Sequence, residues 1–356
     1  MYAVLGLFAA AGFWYFSNGG QQSVEITKNR VSVIAFLSPS SKPDLWLMEL
    51  PEGNPEAITD TDGKVYDFDV APNGNFIIFS MFNQSGGKDL MRINLRGKRM
   101  IRLADCGVND CLEPAISPDG KLVAFTRMPK NVEGQLILRP MVWVLNLATQ
   151  VQQPLFEDQT KSGAQPDWSP QGDRLAIVDE FEKVIRVVNL STGDSTAIPT
   201  ELGQMGVFSP DGTRMLFINT QINGIQSFQG VFTADFNEQQ IKPFLAPEFT
   251  EIDYSVPAWS PDGKKIAVSW RRLIGLGRGS EQLSLFQADG SGEKLITNQF
   301  NLTHAAYSWS PDNNHLLFQQ FEIGNTAAKP QIAIWTEETT TKHVVAEDAF
   351  LPQWVP

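Results

Sequence analysis

Beyond its first 17 residues the chain shows short apolar runs bounded by turn residues. Leu122 to Phe125, Ile266 to Ser269, Leu283 to Phe286 and Leu316 to Phe318 are examples, and no helical period links them. The turns recur. Ala71-Pro72-Asn73-Gly74, Ser117-Pro118-Asp119-Gly120, Ser169-Pro170-Gln171-Gly172, Ser209-Pro210-Asp211-Gly212, Ser260-Pro261-Asp262-Gly263 and Ser310-Pro311-Asp312-Asn313 repeat at Pro-to-Pro intervals of 46, 52, 40, 51 and 50 residues. Proline presets φ, Asp or Asn bonds the local backbone, and Gly or Asn accepts positive φ, so each motif is a tight turn. Two residues before each proline stands an apolar residue: Val70, Ile116, Trp168, Phe208, Trp259 or Trp309.

Each interval holds four strands joined by hairpins, and four-stranded units of this period are blades of a β-propeller. The two ends are complementary half-blades. Val33 to Phe36, Leu45 to Met48 and Ala57 to Thr59 lack a first strand, whereas Phe350-Leu351-Pro352-Gln353-Trp354-Val355-Pro356 is a first strand without its turn. The expected architecture is therefore all-β: a seven-bladed propeller of four-stranded blades over 31–356, closed by the C-terminal strand on Val33 to Phe36. A six-bladed ring with separate end segments is the alternative. The Trp259-Ser260-Pro261-Asp262-Gly263 pattern resembles the TolB-type, WD-repeat-like propeller family over about residues 31 to 356. That resemblance implies a propeller and work by protein contacts.

Met1 to Ser17 is charge-free and apolar, ending in Phe13, Trp14, Tyr15 and Phe16. It reads as an apolar helix, a membrane anchor or signal segment (1–17), before a polar linker over 18–30. An uncleaved anchor, a cleaved signal with Ala9 to Ala11 as the cleavage site, and a buried helix are the three readings. An anchor departs from a soluble periplasmic TolB. The only cysteines, Cys106 and Cys111, lie five residues apart without a nearby histidine, so a loop disulfide fits better than a zinc site; free thiols in a cytosolic loop are the alternative. Together, anchor and disulfide predict an extracytoplasmic body, periplasmic or at the cell surface, held to the membrane by the N-terminal segment.

Composition narrows the function. At 356 residues, 42% hydrophobic and 19% charged, the chain is long enough for a large core and unlike a disordered or multi-span membrane protein. Its net charge of -12 repels nucleic acid. His304, His315 and His343 are the only histidines, and no Gly-x-Ser-x-Gly, P-loop or His-Glu-x-x-His motif is present. Neither the hydrolase domain that some peptidases join to a similar propeller nor the His-rich metal site of certain propeller lyases is matched. No enzyme, no cofactor and no metal site is expected. Asp60, Asp62, Asp67 and Asp69 lack the glycine and glutamate of an EF-hand and read as turn chemistry. Asp69, Glu113 and Asp167 lie beside inner strands, where they either make the channel mouth negative or are simply hydrogen-bonded.

In an up-and-down blade, second-to-third and blade-to-blade connections emerge on one face, opposite the Pro-Asp-Gly turns. Here they read as long: Met128 to Arg139, Gln221 to Gln229, Arg271 to Gln282, Phe321 to Pro330, Cys106 to Leu112, Glu157 to Ala164 and Pro247 to Ser255. The predicted binding residues are Arg271, Arg272 and Arg278 with Trp270, Phe228 and His304 as neighbours, because arginine and aromatics dominate interface hot spots. The expected function is a non-enzymatic protein-interaction module, an accessory subunit of an envelope complex. A small-molecule or glycan-binding propeller that uses its central channel is the alternative.

Overall fold

The computed structural model describes residues 32–130, 139–158, 161–223, 226–245, 252–275 and 278–356. The predicted anchor and linker lie outside these residues. Among the described residues every regular element is a strand, and there is no helix long and apolar enough to cross a membrane.

Four of the six turn motifs, those with Asp119, Asp211, Asp262 and Asp312, form by the same bonds. Ser117 Oγ donates to Asp119 Oδ1 (2.7 Å) and accepts from Leu122 N (2.9 Å), while Asp119 Oδ1 accepts from Lys121 N (3.1 Å). Gly120 turns at φ 69°, and Asn313 takes its place in the last motif at φ 62°. In the Gln171 variant of the motif, Asp173 accepts the Ser169 hydroxyl instead (2.7 Å). The apolar alternation after each turn then buries both faces of the second and third strands, as in Ile77, Ile78 and Phe79 or Leu316, Leu317 and Phe318.

The expectation of seven separate blades is corrected. Five separate blades stand as sheets of four or five strands, made from Phe350–Val355 with residues 32–57, then from residues 164–199, 207–245, 252–295 and 302–347. Between the first and second of these, residues 65–154 form one eight-stranded sheet. Its two meanders join where Lys88 pairs with Asp110 in parallel. The reason is local. Lys88 Nζ bonds Asp110 Oδ2 at 3.1 Å, both residues buried, and Cys106 and Cys111 are disulfide-bonded with Cα atoms 6.1 Å apart, drawing the connection tight against Lys88–Asn94. A second correction concerns the connection read as a loop at Gln221 to Gln229. Arg214–Asn223 and Gln226–Asp235 run on as paired strands, with Gln221 opposite Phe228.

The core is a circuit of apolar clusters, each between neighbouring meanders. Phe125, Leu90 and Cys111 pack in one, and Phe217, Ile185 and Phe208 in another. The circuit closes through the C-terminal strand. Ile34 is opposite Trp354 and Val33 opposite Val355, and Trp354 is buried with Ile34, Phe36 and Leu317. Its indole N–H donates to Ser308 O (3.2 Å) in the preceding blade. On the other side Gln353 donates to Phe68 O (2.8 Å) and accepts from Val70 N (3.2 Å). Gly74 is required here, since a Cβ at this residue would lie 2.4 Å from Pro356 O.

Removal of Phe350 to Pro356 uncovers a strand edge and exposes two blades' apolar surfaces, so it should destabilise the whole ring. Trp354→Ala alone should cost about 3 to 5 kcal/mol. Urea unfolding of both variants checks this; an unchanged midpoint would show that the ring does not depend on closure.

Candidate functional site

The inner strands set the geometry of the channel, and several carry a bulge. The register shifts between Leu112 and Ala115, Ala164 and Asp167, and Ala305 and Ser308. Glu113 (φ 54°), Gln165 (φ 52°), Ala306 (φ 49°) and Leu351 (φ 49°) adopt the left-handed conformation. Pro114, Pro166 and Pro352 follow three of them, and because proline has no N–H, the bulge sacrifices no ladder bond there. This X-Pro signal, three to four residues before the turn motif, is legible in the sequence.

The bulges turn acidic and amide side chains onto the next inner strand. Asp67 Oδ2 accepts from Glu113 N (2.7 Å), Glu113 Oε2 from Gln165 N (2.7 Å), and Gln165 Oε1 from Met205 N (3.1 Å). Asp69 Oδ2 likewise accepts from Ile116 N (2.7 Å). Asp69 and Asp167 line a cavity of about 480 Å³ at the Pro-Asp-Gly end of the channel, walled by Pro72, Pro118 and Pro170. Burial pushes both carboxyls up to about 7, and the Asp69 charge adds to the shift of Asp167. Burial also raises Asp67. Asp67 and Asp69 thus lock together the two meanders of the eight-stranded sheet, and Glu113 locks that sheet to blade 164–199. Asp62 instead pairs with Lys42 (2.7 Å), and among the described residues no group of three or more His, Cys, Asp or Glu is placed to hold a metal.

The six residues predicted to bind do not form one surface. Trp270 is buried, its indole N–H donating to Ser284 Oγ (2.8 Å), so its aromatic character serves packing. His304 is also fully buried rather than on the loop face. Its Nδ1 donates to Glu281 O (2.7 Å), its ring meets Phe318 edge-on at 5.5 Å, and burial pushes it down to about 4. Arg272 and Arg278 are exposed and joined by a β-bridge, with Arg272 over the Phe300 ring at 5.4 Å. Phe228 lies within a strand.

Arg271 alone reaches a cavity, of about 530 Å³, at the long-loop end of the channel. This pocket exists because the inner strand of blade 252–295 is interrupted between Ile252–Tyr254 and Ala258–Trp259. Tyr307 of the next blade fills the gap, its hydroxyl donating to Val256 O and accepting from Ser269 N (2.9 Å). Arg271 Nη2 bonds buried Asp253 Oδ2 (3.1 Å), and Glu281 Oε2 accepts from Ser269 Oγ (3.0 Å) and Ser255 Oγ (3.3 Å).

The long-loop face has a second feature that the arginine argument missed. Val108 (57% exposed), Ile274 (55%), Tyr66 (48%) and Phe181 (48%) all project there, joined by Phe82, Phe321 and Ile323. Tyr66 and Phe82 pack edge-to-face at 6.1 Å, and Lys88 Nζ lies 4.4 and 4.6 Å from their ring centres. The turns of the opposite face expose two large apolar residues, Val151 and Leu190; Leu351 lies on the C-terminal inner strand, and the others are scattered along outer strands.

Similar solved structures include TolB from Acinetobacter baumannii, with a TM-score of 0.50 and 16% identity over 73% of this chain and 62% of that one. A puromycin-hydrolyzing peptidase from Mycobacterium tuberculosis has a TM-score of 0.66 and 13% identity over 90% of this chain and 52% of that one. Oligogalacturonate lyase from Vibrio parahaemolyticus has a TM-score of 0.53 and 15% identity over 80% of this chain and 73% of that one. The fold is a β-propeller. No family model and no curated protein matches the chain. The propeller spans less than two thirds of the TolB and peptidase chains, and at such identities the likeness is one of fold.

The carboxyls make a signed prediction for this propeller. Asp69 and Asp167, raised in the fold, bind more protons there than in the unfolded chain, so stability falls as pH rises from about 4 through 7. His304, depressed to about 4, acts oppositely between about 4 and 6.5. Above that window the two aspartates dominate. Unfolding free energy should drop by about 1 kcal/mol between pH 6.5 and 8.5, and an Asp69→Asn, Asp167→Asn double variant should flatten the slope. Denaturant titration at the two pH values measures it.

Proposed function

We infer that this propeller is a non-enzymatic protein-interaction module outside the cytoplasm, held to the membrane by its N-terminal segment as an accessory subunit of an envelope complex. The observation that carries the reading is the asymmetry of the two faces. Val108, Ile274, Phe181 and the Tyr66–Phe82 pair crowd the long-loop face, while the opposite turns are short and expose only Val151 and Leu190 among large apolar residues. Exposed apolar and aromatic side chains rimmed by charge mark protein contact surfaces. Arg271, Arg272 and Arg278 lie at the same end and supply long-range attraction for an acidic partner.

The TolB-like fold and the Cys106–Cys111 bridge favour an extracytoplasmic site.

Two outcomes are expected. Val108→Asp, Phe181→Asp and Ile274→Asp together should reduce capture of the partner from detergent-solubilised native membranes at least tenfold without lowering the melting temperature of the ring. Charge reversal at Lys121 and Lys264 on the other face should not reduce it, and the opposite pattern would mean that the wrong face has been assigned. Thiol labelling of material from its native compartment should mark Cys106 and Cys111 only after reduction; labelling without reductant would count against export.

A further inference from the structure

The pocket at the long-loop mouth of the channel has a chemistry that protein contact does not use. Asp253, Arg271 and Glu281 are directly opposed across three adjacent strands, so their side chains project from one side of the sheet. Both oxygens of buried Asp253 are occupied: Oδ1 accepts from Gln229 N (2.8 Å) and Oδ2 from the Arg271 guanidinium (3.1 Å). Asp253 therefore fixes the cation. A guanidinium has five N–H donors, and among the described residues Asp253 is the only partner of this one.

Glu281 is the fixed anion. Ser255 and Ser269 hold only its Oε2, and the buried His304 imidazole holds its backbone carbonyl from behind. Arg271 and Glu281 are not ion-paired with each other, although cross-strand neighbours lie about 5 Å apart. Small residues, Ala258, Ala305 and Ala306, leave room beside them in the cavity of about 530 Å³, which Gln229 also lines.

We propose that this pocket binds a zwitterionic α-amino acid, with its carboxylate on Arg271 and its ammonium on Glu281. The two charges of an α-amino acid are separated by a single carbon, a span that suits heads of side chains on neighbouring strands. A ligand with only one of the charges engages only one of the two fixed groups and forgoes the bonds of the other, which penalises it. The pocket shares only Arg271 with the docking face, because the loop-tip residues Val108, Phe181 and Ile274 do not line it.

The test is thermal denaturation of the protein with each of the twenty standard L-amino acids at 10 mM, followed by calorimetric titration of those that raise the melting temperature. At least one should bind with one site per chain. Its decarboxylated amine and its deaminated acid should each bind at least tenfold more weakly. Glu281→Gln, which retains an oxygen for the two serines, and Arg271→Gln should each weaken binding at least tenfold. No stabilisation by any of the twenty would overturn the proposal. Unchanged binding in both variants would do the same, as would an amine that binds as tightly as its parent amino acid, since that assigns the pocket to simple cations.

Discussion

Separate sheets share no backbone ladder, so what joins one blade to the next must come from side chains. In this propeller the answer is a relay of hydrogen bonds around the channel. Asp67 reaches Glu113 between the two meanders of the eight-stranded sheet, Glu113 reaches Gln165 in the next blade, and Gln165 reaches Met205 just ahead of the strand Val207–Phe208, each side chain accepting a backbone N–H. Tryptophan indoles run the other way: Trp168 donates to Ala115 O, Trp309 to Ala258 O and Trp354 to Ser308 O. Apolar clusters between neighbouring meanders supply most of the burial, but these directional bonds fix the spacing of the strands. Gln353 joins the relay at the seam, which is why the C-terminal strand is part of the ring and not an appendage.

The relay also explains why acids line the channel of a protein without a metal cluster among its described residues. A carboxylate that accepts a backbone N–H in a confined site gains a charge-assisted bond but loses hydration. In Asp69 the second effect wins, and its pKa is raised to about 7. Solvated turn carboxylates behave oppositely: the Ser117 hydroxyl, with Lys121 beside it, holds Asp119 down to about 2. The same residue type therefore reports two environments, one at the channel and one at the turn.

Function follows from where the repeat is broken. Two departures from the repeat lie on the long-loop side. The eight-stranded sheet arises at the disulfide-tied connection carrying Val108, beside the Tyr66–Phe82 pair over Lys88. The channel pocket arises where the inner strand of blade 252–295 is interrupted and Tyr307 bonds across the gap. A rigid ring thus presents two unlike surfaces at one end, an apolar rim and a polar pocket.

The sequence alone determined the class of fold, because a Ser-Pro-Asp-Gly turn is a local event whose bonds lie within five or six residues, and its spacing counts strands. It also determined that the ends complete one another, since Trp354 occupies the position of Trp259. It did not determine which residues are free to bind. Trp270 and His304 looked available by type and position, yet both are buried, because exposure depends on how a neighbouring blade packs. Arg271 and Glu281 are ten residues apart in the chain, and only strand pairing sets them side by side. The joining of two meanders through Lys88 and Asp110 was equally out of reach, for a single parallel contact between residues 22 apart leaves no periodic trace in a sequence.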